Sequence, residues 1–319
     1  MPNRSWPGIG FSLVILLLTA CQTTPPAPPP TVPTDDIIIV AGQPFHTGTR
    51  VVTWKEEGGY DAYQFTPTEH AGNANHGVRR LPSPNIAGDW IDRKERWDLP
   101  ALQTYVDQLV FHYDDEGFSR RCFEILQRRG LSAHFLLDLD GTIYQTLDLR
   151  ECAYHATQSN SRSIGIEMAN IGSFAPDKNQ ELTEWYQRDG EGNPVVHIPE
   201  ELGDPHFLRP EFTARPIQPD IVEGKINGRV VRQYDFTPEQ YAALIKLTVA
   251  LHRVFPLIKL DRPRDAQGQP IIEKLTDQDL LKYQGLLGHF HIQTNKVDPG
   301  PAFDWKRVID GARQADRSK

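Results

Sequence analysis

Short apolar runs and clean alternations mark the strands of this chain, and one long stripe with a 3.6-residue period marks its best helix. Residues 36–41 centre on Ile37-Ile38-Ile39-Val40 and predict a short buried strand. The stretch up to about residue 100 is mixed and predicts loops. Residues 106–111 form an apolar run that ends in His112, which suits a strand with a histidine at its C-terminal end. Ser119 is placed to cap a helix carrying Cys122, Phe123, Ile125 and Leu126, stopped by Gly130. Residues 134–139 and 142–147 read as a hairpin, with Asp140-Gly141 supplying the positive φ of a tight two-residue turn. Across residues 163–170, Ile164, Ile166 and Met168 share one face, and Gly165 and Glu167 the other. The first face is core. The second sets a carboxylate beside bare backbone, which suits a cleft.

Breaks at Pro and Gly, and an Asn227-Gly228 turn, mark residues 173–233 as an insertion of loops and one hairpin. Thr237-Pro238-Glu239-Gln240 then opens the strongest helix. Thr237 is its cap, Pro238 fits the first turn and Gln240 completes a capping box. Tyr241, Leu244, Ile245, Thr248 and Leu251 form its buried stripe. Residues 261–270 predict a loop, Thr276 the start of a short helix, 286–292 a final strand, and 304–312 a closing helix with Trp305, Val308, Ile309 and Ala312 inward. Strands interleaved with helices predict an α/β fold, a mixed central β-sheet flanked by helices, in one domain that carries the insertion.

The first residues read as targeting rather than fold. Arg4 precedes an apolar run over 9–20, and Leu18-Thr19-Ala20-Cys21 follows. The run is shorter than the ~20 residues that span a bilayer. The segment resembles the lipobox of bacterial lipoproteins, which implies that Cys21 is lipidated after removal of residues 1–20. Gln22 behind it then implies an outer-membrane address facing the periplasm, in a bacterium with two membranes. The proline-dense residues 25–33 make the segment 21–35 an extended spacer. With 34 Lys and Arg against 42 Asp and Glu, the net charge of −8 excludes a general nucleic-acid binder. Cys122 and Cys152 either pair in an oxidising compartment or stand as unpaired core residues. Oligomeric state is not legible.

The chemistry concentrates in Gly288-His289-Phe290-His291 and the following Lys296-Val297-Asp298-Pro299-Gly300-Pro301. A histidine at a strand end and an aspartate on the next loop can reach one ion, with Pro299 and Gly300 fixing the turn. Adding His112 gives two imidazoles and a carboxylate. Such a set suits Zn²⁺ and leaves a fourth position open to water.

Six segments in order carry a resemblance: Ser83-Pro84-Asn85, the strand ending in His112, Ser132-Ala133-His134-Phe135 with Asp140-Gly141, Tyr154-His155-Ala156, Ser163-Ile164-Gly165-Ile166-Glu167, and Gly288-His289 through Asp298-Pro299-Gly300. Together they resemble the zinc-dependent N-acetylmuramoyl-L-alanine amidases, the family of bacteriophage-type lysozyme amidases and peptidoglycan recognition proteins. The resemblance covers roughly residues 83–310. It implies a catalytic domain over 83–314 with the insertion near 173–233 and an N-terminal extension over 36–82. It implies His112, His289 and Asp298 as zinc ligands, Glu167 as the catalytic carboxylate, Lys296 as a cationic helper, and a substrate contact from His155. The implied reaction is hydrolysis of the amide between N-acetylmuramic acid and L-alanine in peptidoglycan or muropeptides. The alternative is a non-catalytic peptidoglycan-binding lipoprotein of the same fold.

Each residue also has a plainer reading. His291 competes with His289 as ligand, because the loop from His289 to Asp298 is a residue shorter than in the cell-wall recycling amidases of the family it resembles. A purely structural zinc would need a fourth protein ligand, and His291 is its one nearby candidate. Glu167 is otherwise a carboxylate paired with an arginine, and Lys296 a solvated loop lysine. His134 reads as structural or as a support behind a ligand. His46, His70, His76, His197, His206 and His252 carry no assignment. Trp185 and Tyr186 either line a glycan groove or pack.

Overall fold

The computed structural model describes residues 1–2, 35–67, 72–83, 90–178, 180–209 and 211–318. The lipobox segment with Cys21, the proline-dense spacer, His70, and Pro84-Asn85 lie outside the described residues. The chain begins with β1 (Ile37–Val40), β2 (Gln43–His46) and β3 (Val51–Thr53), then the short strands β4 (His76–Val78), β5 (Arg80–Pro82) and β6 (Trp90–Asp92), and helix α1 (Leu99–Gln103). Next come β7 (Gln108–Tyr113), α2 (Ser119–Arg128), β8 (Phe135–Leu137), β9 (Ile143–Gln145), β10 (Glu151–Ala153) and β11 (Ser163–Met168). The insertion carries α3 (Gln180–Trp185), β12 (Tyr186–Arg188), β13 (Pro194–Val196), β14 (Val222–Ile226) and β15 (Arg229–Gln233). Last are α4 (Pro238–Val254), α5 (Asp277–Lys282), β16 (Gly285–Gly288) and α6 (Trp305–Arg317).

Six strands make the central sheet in the order β16-β7-β11-β8-β9-β3. β16, β7, β11 and β8 run parallel, β9 is antiparallel to β8, and β3 is parallel to β9. The sheet is therefore mixed, as the alternation of elements predicts. Both faces are covered, which is why its central strands are apolar on both sides. One face sends Leu109, Phe111, Ile164, Ile166 and Met168 into a core shared with α4 and α6, through Leu244, Leu247, Trp305 and Val308. The other face packs Leu136 and Tyr144 against Cys122 and Leu126 of α2, and Val110 and Leu287 against Leu280 of α5. Each fully buried Leu or Phe of this kind contributes about 1.5–3 kcal/mol of transfer free energy. Ile38, Val40 and Val51 lie in the same main core, so β1 and β3 are built into the sheet's packing.

Several expectations are corrected. Phe118, not Ser119, is the cap of α2; Ser119 is the first helical residue, and its N–H points to Asp138 Oδ1 at 3.4 Å. The β8–β9 connection spans residues 138–142, and its tight loop holds three residues, 139–141, rather than two. Asp138 N–H donates to Thr142 O at 2.9 Å, and Gly141 alone of residues 139–141 takes a positive φ, +83°. The predicted strand over 286–292 stops at Gly288, and His289–His291 form a 3-10 turn. The insertion contains two hairpins and a short helix, not one hairpin. α4 does carry its capping box, but Ala243, Leu247, Val249 and Ala250 are buried too, so the helix is covered well beyond the single stripe, while Ile245 is only half-buried. Cys122 and Cys152 are both buried and unpaired.

Candidate metal centre and cleft

The parallel pairing of β7 and β11 sets Glu167 directly beside His112. Partners in such a register project from the same face of a sheet, so strand periodicity alone puts the acid and the imidazole side by side. β16 lies on the other flank of β7, and its end delivers His289 to the same edge. The loop that follows brings back Asp298. One nitrogen of each histidine and one oxygen of Asp298 lie within 4.8 Å of one another, and all three residues are buried. His291 is not in this group. Its Nδ1 accepts from Gly288 N–H at 2.9 Å and its Nε2 donates to Ile271 O at 3.0 Å, so both nitrogens are spent on backbone.

Asp298 Oδ2 is 2.8 Å from His112 Nδ1 and 3.1 Å from His289 Nδ1. The far nitrogens are engaged as well: His289 Nε2 donates to Gln293 Oε1 at 2.5 Å, and His112 Nε2 is 3.0 Å from His155 Nδ1. With its proton on Nε2, a neutral His289 offers Asp298 a bare Nδ1 lone pair. A lone pair facing a carboxylate repels unless a proton or a cation lies between them. The donor set therefore fits a divalent cation of the zinc type. Burial drives the His112 pKa down to about 4, so its ring is neutral at neutral pH. For Asp298, burial pushes up, but the neighbouring His289 and His112 outweigh it and hold the carboxyl well below the usual range. A neutral imidazole at His112 and an ionised carboxylate at Asp298 are protonation states that zinc ligation requires.

A second layer supports these side chains. His155 stands over Gly165, where an added Cβ would come 2.6 Å from its Nδ1. Its Nε2 is 3.2 Å from Ser163 Oγ. Burial, then the neighbouring His112 and His134, keep it far below the usual histidine range. His134 is structural: its Nδ1 accepts from Gly165 N–H at 3.1 Å, so its Nε2 carries the proton toward Glu151 O. Beneath it lies Arg79, fully buried, donating to the carbonyls of Leu149, Ser161 and Ser163 and 3.1 Å from His134 Nε2. Burial and that guanidinium lower the His134 pKa to about 3.

These groups border a cleft of about 400 Å³ lined by His112, His155, Glu167, His289, Lys296 and Asp298, with Tyr113, Tyr154, Arg129 and Arg229 among the other walls. Glu167 has no arginine within ion-pair distance among the described residues. Burial first, then the negative charges of Asp298 and Asp114, push its carboxyl well above the usual range, while Lys296 and Arg129 pull the other way. Trp185 and Tyr186 pack with Ile171 and Tyr234 instead of lining the cleft. His46 meets Asp36, His76 meets Asn75, His206 lies by Asp204, and His252 contacts Ile258 O, all away from the cleft. His197 also lies outside its lining. Arg79 and Gln293 were not singled out from the sequence; neither stands in a pattern that separates it from an ordinary surface arginine or glutamine.

Comparison with known proteins brings one family match: the family described as N-acetylmuramoyl-L-alanine amidase, over residues 102–301. No curated protein matches the chain. Among solved structures, a selenomethionine derivative of AmpD is 19% identical, covering 77% of this chain and 99% of its own, with a TM-score of 0.34. The endolysin amidase LysCS from Clostridium intestinale URNW is 16% identical, covering 66% and 86%, with a TM-score of 0.35. The E. coli amidase AmiD, in complex with anhydro-N-acetylmuramic acid-L-Ala-D-gamma-Glu-L-Lys, is 18% identical, covering 70% and 63%, with a TM-score of 0.37. At such scores these structures assign no residue here.

Proposed function

This chain belongs to the family of N-acetylmuramoyl-L-alanine amidases, and from that premise we propose that it is a zinc amidohydrolase cutting the amide between the lactyl group of N-acetylmuramic acid and L-alanine. Amidase action on peptidoglycan follows from the family. The zinc dependence and the site roles are our reading. The observation that carries them is the convergence of His112, His289 and Asp298 at one buried point on the wall of a cleft that also holds Glu167.

His112, His289 and Asp298 would hold the ion, leaving a coordination position open. When bound, zinc supplies Lewis acidity and lowers the pKa of water to ~7. Glu167 receives the proton of the attacking water and passes it to the departing amine of L-alanine. Burial raises its carboxyl above the usual range, the direction that makes a carboxylate a stronger base. Lys296 would face the oxygen that gains charge as the carbonyl becomes tetrahedral; a donor in that role is worth about 3 kcal/mol. His155 touches His112 and also lines the cleft, so a substrate contact and support of the ligand are compatible for it.

The substrate is peptidoglycan or its muropeptide fragments. We further propose that Cys21 carries the lipid and that residues 21–35 space the enzyme from the outer membrane, on its periplasmic side. The apolar run before Cys21 and the prolines after it support this reading. Mass spectrometry of muropeptides incubated with the protein tests the reaction. A released peptide beginning at L-alanine is expected, lost on chelation and restored by zinc. Cleavage at a glycosidic or a later peptide bond would overturn it. Cys21→Ser is expected to move the protein from the membrane to the soluble fraction; unchanged fractionation would remove the lipid anchor.

A further inference from the structure

The ligand-bearing loop leaves the sheet at Gly288 and returns to the site only at Asp298. Something other than strand pairing must fix it, because ligands have to be held within about half an ångström of their working positions. The β14–β15 hairpin of the insertion meets this loop at two places.

At the hairpin tip, Asn227 and Gly228 take φ of +47° and +75°. This is a turn with both central residues in the left-handed region, which Asn and Gly tolerate. Asn227 Nδ2 lies 3.0 Å from Phe290 O, 3.1 Å from Gln293 O and 2.8 Å from Lys296 O. Its two hydrogens are shared among three carbonyls of the loop between the ligands. Its Oδ1 accepts from Lys274 N–H at 2.8 Å, and its backbone N–H donates to Ile272 O. One side chain thus ties the loop to the hairpin and to the segment before α5.

At the hairpin base, Gln233 is fully buried. Its Nε2 donates to Pro299 O at 3.1 Å and to Asn170 Oδ1 at 3.3 Å, and its Oε1 accepts from Ala302 N–H at 3.1 Å. Gly300 sits so close that a Cβ there would fall 2.0 Å from Gln233 Oε1. Asn170 lies just past the end of β11, the strand that carries Glu167. Gln233 therefore bridges the strand of the carboxylate and the loop of Asp298.

We propose that this hairpin is a clamp on the metal centre, with Asn227 and Gln233 as positioning residues that hold His289 and Asp298 in place relative to Glu167. The inference rests on the zinc reading of the site. The competing view makes the hairpin a stabilising insertion that leaves the site indifferent to its tip.

The test uses the full chain and zinc as the probe. Asn227→Gly keeps the turn, because glycine accepts the same φ, and deletes only the amide. Asn227→Asp keeps the acceptor for Lys274 but sets a carboxylate oxygen against three carbonyls. Zinc stoichiometry by elemental analysis, affinity by competition with a chromophoric chelator, kcat and KM, and urea unfolding of the zinc-stripped protein are measured together. Wild type is expected to bind one zinc per chain. Asn227→Gly should bind it ~10–100-fold more weakly, as is typical when an outer support of a metal ligand is lost, with kcat reduced and KM little changed. Asn227→Asp should be weaker still. A folded Asn227→Gly protein with zinc affinity and kcat within twofold of wild type overturns the clamp. So does a change confined to the urea midpoint of the stripped protein. Wild type that binds no zinc overturns the metal reading itself, and the clamp with it.

Discussion

Gly165→Ala is the sharpest probe of the layer behind the ligands. The new methyl would lie 2.6 Å from His155 Nδ1 and 2.7 Å from its Cε1 and Cγ. The obstacle is the face of a ring, held at Nδ1 by His112 and at Nε2 by Ser163, so it cannot swing aside without breaking a contact. Overpacking of this kind costs about 1–3 kcal/mol. Against it stands roughly 0.5–1 kcal/mol gained by replacing glycine within a strand. A net loss of about 1–2 kcal/mol is expected, and for a domain of this size that lowers Tm by about 2–8 °C. The displaced ring also frees His112 Nε2, so zinc affinity should fall ~10–100-fold. The assay is a double-mutant cycle in urea with His155→Ala. Removing the ring removes the clash, so Gly165→Ala should cost little or nothing in that background, giving a coupling of about 1–3 kcal/mol. Additive effects, or wild-type zinc affinity in Gly165→Ala, would refute the idea that glycine is there to admit the imidazole.

Three further outcomes are expected. Glu167→Ala should retain stoichiometric zinc yet lose at least ~100-fold in turnover of muropeptides, the usual range for removing a general base; normal turnover would take Glu167 out of the mechanism. Asp298→Ala should bind zinc weakly, and a full equivalent by elemental analysis would contradict its role as ligand. Asp138, whose carboxyl burial pushes from 3.8 up to about 8, stabilises the fold most below pH 4 and loses that contribution as pH rises through about 8. Asp138→Asn removes this titration, so its stability relative to wild type should climb by about 1.4 kcal/mol per pH unit between pH 5 and 8, and a flat difference in urea unfolding would exclude the shift.

What was legible in the sequence followed from period and from strong local chemistry. The alternation around Gly165 and Glu167 needs only the pleat to become a core face and a cleft face, and β11 has both. Thr237 with Gln240 closes its capping box locally. The convergence of His112, His289 and Asp298 was readable because the two histidines sit at strand ends and Pro299-Gly300 marks the turn beside Asp298. The β8–β9 loop length was misread because Asp-Gly also suits a three-residue loop with glycine in the left-handed position, and only the Asp138–Thr142 pairing decides. The short helix and second hairpin of the insertion were missed for lack of a long period. The supports of the site were invisible for a different reason. Asn227 signals a turn, not the three carbonyls that it meets some 65 residues away. Nothing local separates Gln233 from a solvent-facing glutamine.

Arg79 shows how far the site reaches into the rest of the chain. It precedes the family match, which begins at residue 102, yet it is fully buried under the strand that carries Glu167. It has no carboxylate within ion-pair distance among the described residues; carbonyls from residues 149, 161 and 163 solvate it instead. A buried charge held by backbone dipoles is costly to leave unpaired, so those three carbonyls cannot drift without exposing it. One of them belongs to Ser163, whose hydroxyl meets His155, which in turn meets His112. Burial, and then the cation, keep His134 neutral, which leaves its Nδ1 free to accept the Gly165 N–H. Arg79, between β4 and β5 and ahead of the matched region, thus fixes the backbone on which the carboxylate and the second layer of histidines stand. The segment ahead of the matched region therefore supports the candidate site through Arg79 as well as the sheet through β3, and removing it would disturb both.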